Sequence, residues 1–130
     1  MVARAKDKVL RPLAAAIFLL ALGAAAAGFS AGDWQVIERA TDRLAPEAGT
    51  ASGRAAACHL GDEARRRQDF YDFLLRYLAA DAASARLEEF DRAAAASARA
   101  PCDRYLLERA RAQARATRAK IEPILRDHGS

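Results

Sequence analysis

"GRAAACHLGDEARRRQ", residues 53–68, sets Cys58 beside His59 just ahead of Arg65, Arg66 and Arg67. The pair reads either as a thiol with its base or as half of a cross-link to the only other cysteine, Cys102. Neighbours on a helix point about 100° apart, so a helical Cys58 and His59 do not face each other as a nucleophile and base must. The second histidine, His128, follows Cys102 by about 26 residues, nearly 40 Å along a helix, and so belongs to the opposite end of such a molecule. No spacing in the chain matches a zinc pattern. A structural disulfide between Cys58 and Cys102 is therefore expected, with no metal site and no cofactor.

That expectation needs an oxidising compartment, and the N-terminus supplies one. Residues 1–11, "MVARAKDKVLR", are basic, and residues 13–27, "LAAAIFLLALGAAAA", carry no charge and end in small side chains. This is the layout of a secretory signal peptide over residues 1–30, cut after Ala27 or after Ser30, and it predicts a periplasmic or secreted protein. The alternative is a single-pass inner-membrane anchor, because the apolar stretch extended to Ala31 approaches the roughly 20 residues that span a bilayer. Membrane association is expected only if this segment is retained.

The whole chain has a net charge of +4, from 21 basic and 17 acidic side chains. Four of those basic residues and one acid lie in the leader, so the remainder carries 17 against 16, close to neutrality. The basic balance is thus a property of the export signal, and nucleic acid is excluded as an expected partner.

About 100 residues remain, a size at which a core alone supplies modest stability. The enclosed loop of about 45 residues makes the cross-link worth roughly 4 kcal/mol on a chain-entropy estimate. Trp34, Ile37, Ala40 and Leu44 recur at helical spacing, and Pro46 with "EAGTASG" breaks the pattern, so residues 31–53 read as a short helix and a linker. Residues 54–130 read as a three-helix domain: about 54–80, 82–98 and 101 onward, with Pro101 in a first turn and Pro123 as a kink or stop. The predicted fold is all-α: a short N-terminal helix and an up-down-up bundle, stapled where helices share an end.

Two surfaces stand out. Phe70, Tyr71, Phe73 and Tyr77 belong to an apolar set too wide for one packing face, which reads as a central helix or as a partner or homodimer surface. On the last helix Leu106, Ala110, Ala114, Thr117 and Ile121 form an apolar side, opposite Arg104, Arg111, Arg115 and Arg118. That stripe fits an anionic partner, with Glu108 and Glu122 as local counter-charges. Glycine-rich phosphate loops, H-E-x-x-H and G-x-S-x-G are missing, and no enzyme activity is expected.

The order of leader, Cys58, "ARLEEFDR" (85–92), Cys102 and "YLLERARAQARATRAKI" (105–121) resembles an uncharacterised family of short alphaproteobacterial secreted helical proteins with two cysteines. That resemblance implies export and a helical domain without an assigned activity. The layout is also similar to the small acid-stress chaperones of the bacterial periplasm, which implies apolar surface uncovered on acidification. The expected function is a protein- or envelope-interacting module, with a stress chaperone or a membrane-anchored accessory subunit as alternatives.

Overall fold

Ser30 starts the first helix. Its Oγ accepts from the Asp33 N–H at 3.0 Å, and its own N–H donates to Asp33 Oδ2 at 3.3 Å. This reciprocal capping box satisfies two backbone donors that a helix start leaves open. The computed structural model describes residues 28–129, so the leader expected over 1–30 and the cut after Ala27 lie almost wholly outside the described residues.

From that cap α1 runs without interruption over Ala31–Ala57, and the linker expected after Leu44 is part of it. Pro46 sits inside the helix. It removes one backbone donor on the solvent side, where Asp42 and Pro46 are both exposed and water can take the freed carbonyl. The cost of an interior proline, about 3 kcal/mol, is offset by what the other face of α1 buries.

The remaining helices are α2 (Glu63–Leu75), α3 (Ala80–Ala98), α4 (Arg104–Arg118) and α5 (Glu122–Gly129). The two largest shifts in helix starts are both set by aspartates. Asp62 Oδ1 accepts from the Arg65 N–H at 3.2 Å, so α2 begins at 63 instead of 54. Asp103 Oδ1 accepts from the Leu106 N–H at 3.0 Å, so α4 begins at Arg104 and Pro101 stays in the connection. The break expected near Pro123 falls between α4 and α5.

The fold is all-α, a small bundle closed by the Cys58–Cys102 disulfide. Contacts along the helices give their directions. Gly49 and Gly53 of α1 meet Phe90 and Ala94 of α3 in the same order, so these two run parallel. Arg66 of α2 reaches Ser52, while Tyr77, just beyond α2, reaches Phe29, so α2 is antiparallel to α1. Thr117 and Lys120 lie beside Val36 and Arg39, whereas Ala110 lies beside Pro46 and Thr50, so α4 is antiparallel as well. The order is up, down, up, down.

The α1–α3 pair is the most extensive helix contact, and small residues make it close. A Cβ added at Gly49 would lie 2.3 Å from the Phe90 carbonyl oxygen, and one at Gly53 would lie 2.3 Å from that of Ala94. Glycines four apart on one face let two helix backbones touch. Arg86 of α3 closes the other end, donating to Thr41 Oγ1 at 3.4 Å and to the Glu38 carbonyl at 3.5 Å. Around this pair Ile37, Leu44, Phe70, Phe73, Leu74, Leu87, Phe90 and Ile121 form one core, with Phe70 and Phe90 stacked at 4.9 Å. Leu107 is fully buried and Leu106 is half out, so the inner face of α4 is rotated from the one read in sequence.

Candidate functional site

Cys58 and His59 form a helix stop. The Leu60 N–H donates to the Ala55 carbonyl and the His59 N–H to that of Ala56, each at 2.9 Å, while His59 takes a left-handed φ of 56°. This is the Schellman ending of α1. Cys58, as the cap, aims at the connection after α3, where it bonds Cys102 with Cα atoms 4.6 Å apart and a sequence separation of 44. The sulfur is therefore not a nucleophile, and the exposed His59 is a turn residue. A bond of this kind belongs to an oxidising, non-cytoplasmic compartment. Among the described residues no helix is long and apolar enough to cross a membrane, and no group of three or more His, Cys, Asp or Glu could hold a metal.

The aromatic partner surface is corrected by burial. Phe70, Phe73 and Tyr77 are at most 6% exposed, and Tyr71 is half-buried against the same core. The wide apolar arc of α2 is needed because the helix meets both α1 and α3, and its end also receives Phe29, whose ring lies 6.2 Å from Tyr77. The core takes up most of this set, leaving only the part of Phe70 that reaches a cleft between α2 and α4 and one edge of Tyr71.

The arginine stripe has a different outcome. α2 and α4 both pack on α1 but make no extensive contact with each other, and a cleft of about 370 Å³ lies between them. Ala48, Ala51 and Ala55 of α1 form its floor together with Phe70 and Phe90. Arg66 and Asp69 line one side, and Arg111, Arg115 and Arg118 line the other. The spacing 111, 115, 118 is one helical face, so α4 brings three arginines to the cleft. Arg104, about two turns before Arg111, is exposed and does not line the cleft.

Each cation is held differently. Arg66 is fixed to the end of α1, donating to Ser52 Oγ at 2.9 Å, the Ser52 carbonyl at 3.2 Å and the Leu60 carbonyl at 2.7 Å. Arg118 pairs with Glu122 at 3.3 Å and lays its guanidinium 4.1 Å from the centre of the Phe73 ring. Arg111 pairs with Glu108 at 2.7 Å. Arg115 makes no side-chain hydrogen bond or ion pair with any described residue, although it lines the same recess. Asp69, the one carboxylate lining the cleft, is 3.6 Å from Arg65.

Sequence reading missed Arg66 and the floor. The small residues Ala48, Ala51, Ser52 and Ala55 recur at helical spacing and were the available signal, concealed by reading Pro46 as a break. A second polar feature lies nearby on α1: the Glu47 side chain is 9% exposed, with Oε2 3.3 Å from Arg43 and Oε1 buried without a partner.

The chain matches no protein-family model, no curated protein and no solved structure.

Proposed function

We propose that this protein is an exported binding module that attaches to a component of the cell envelope through the cleft between α2 and α4, and carries out no chemistry of its own. The observation that carries this reading is the charge of the recess: four guanidiniums line it against one carboxylate, and Arg115 has no counter-charge among the described residues. An arginine held beside an apolar floor is suited to recognising anionic groups, since its planar fork binds their oxygens bidentately.

Export is supported by the disulfide and by the leader pattern, and the start of α1 favours one cut. Removal after Ser30 would delete the helix cap and the Phe29 ring stacked near Trp34 and Tyr77. Removal after Ala27 keeps both. Intact mass of the exported protein, before and after reduction and alkylation, reads the cut and the thiol state together; a mass beginning at Ala31 or two alkylated thiols without reduction would contradict the proposal.

The binding function is tested by co-sedimentation of the purified oxidised protein with isolated envelope fractions. The wild type is expected to sediment in a salt-sensitive manner, and the Arg111→Glu/Arg115→Glu variant to stay in solution with its helicity unchanged. Equal sedimentation of the two would remove the cleft from the account.

A further inference from the structure

Resting on the reading of the cleft as a binding site, we infer that its ligand is a small amphipathic anion: an alkyl or acyl chain of medium length ending in a carboxylate or phosphate. Two properties of the recess point there together. Its floor, Ala48, Ala51, Ala55 and Phe70, is apolar, while the cations stand along its sides. A ligand that satisfies both must place carbon on the floor and anionic oxygen beside Arg111, Arg115 and Arg118.

Two of the cations are held in place in advance. Arg66 is tied by two hydrogen bonds to Ser52 of α1 and by a third to Leu60 just beyond it, and Arg118 is held against the Phe73 ring. Arg115 is the one left without a partner, so an entering anion gains a guanidinium without first breaking an ion pair. Among the lining residues and their ion-pair partners, Arg65, Arg66, Arg111, Arg115 and Arg118 stand against Asp69, Glu108 and Glu122, so positive charge is in excess.

Size selects the ligand class. A volume of about 370 Å³ falls at the lower end of small-molecule sites, which span about 300–1,000 Å³. One turn of a helix about 10 Å across fills roughly 400 Å³, more than the recess holds. A flat surface of headgroups would meet the arginines and leave the floor unused. Inorganic anions would likewise use half of the site.

Calorimetric titration of the oxidised protein, residues 28–130, with octanoate, octyl phosphate, octanol and inorganic phosphate tests this. Octanoate and octyl phosphate are expected to bind at one saturable site, and whichever is tighter identifies the head group. Octanol and inorganic phosphate should each bind at least tenfold more weakly. Lengthening the chain from hexanoate to octanoate should tighten binding about two- to fourfold per methylene. Arg115→Gln should weaken octanoate at least tenfold with unchanged circular dichroism, Ala51→Leu should remove the chain-length dependence, and Arg104→Gln should leave binding as it was.

Octanol binding as tightly as octanoate, phosphate binding as tightly as octyl phosphate, indifference to Arg115→Gln, or no saturable binding would each overturn the inference. If the amphiphiles fail while envelope co-sedimentation still depends on Arg111 and Arg115, the ligand class falls and the binding reading stands. Failure of both removes both.

Discussion

The Cα of Gly49 lies so close to the backbone of Phe90 that a Cβ there would stand 2.3 Å from its carbonyl oxygen. Glycine inside a helix ordinarily costs about 0.5–1 kcal/mol relative to alanine, and here the missing side chain is what lets α1 and α3 touch. Gly49→Ala and Gly53→Ala are therefore expected to destabilise by about 1–3 kcal/mol each, despite their better helix propensity. Gly32, whose added Cβ would meet nothing nearer than 3.9 Å, is the control: Gly32→Ala should stabilise slightly. Urea unfolding of the three variants separates the two effects, and a stabilised Gly49→Ala would contradict the close helix contact.

The Cys58–Cys102 bond closes a loop across a separation of 44 residues. Its reduction, or Cys58→Ser/Cys102→Ser, should lower stability by about 2–4 kcal/mol, largely through the unfolded chain. Helicity at low temperature should persist, because the α1–α3 contact does not depend on the bond. A reduced protein with the same urea midpoint as the oxidised one would refute this.

His59 occupies a left-handed position that favours glycine, and its side chain is exposed. His59→Gly is expected to raise stability by about 1 kcal/mol, since a non-glycine residue in that region costs about 1–2 kcal/mol. Thermal unfolding measures it. A marked loss would show that the imidazole does more than end α1.

Tyr77 holds its proton more tightly than an ordinary phenol, chiefly because burial disfavours the anion, with Glu122 adding to the effect while Arg76 and Arg118 oppose it. The folded value is raised above the usual 10.0, so the contribution is fully present below pH 10 and is lost as pH rises through the higher folded value. Ultraviolet titration of wild type and Tyr77→Phe should show the missing phenol to be one that ionises above pH 10. The variant should also lose less stability than wild type between pH 9 and 11. Equal alkaline losses would count against this.

The helical class, the cross-link and the last three helix directions could be read from residue spacing. The glycines of "EAGTASG" could not, because in isolation Gly49 and Gly53 weaken a helix, and only the carbonyls of Phe90 and Ala94, some 41 residues away, reveal that closeness is their role. Pro46 misled for the same reason: local propensity lost to tertiary packing. Of the site, Arg111, Arg115 and Arg118 were legible as one helical face. Arg66 was not, since its place depends on how α2 lies against Ser52.

The parallel course of α1 and α3 bears on how the chain assembles. Parallel neighbours cannot form as a hairpin; α2 must first carry the chain back before α3 can dock, so the tightest pairing in the molecule is non-local and its loop-closure entropy is met before its contacts are gained. Cys102 follows α3 directly, and its sulfur is brought to Cys58 by that docking. Oxidation should thus come late, and the appearance of the bond during refolding would serve as a clock for helix docking.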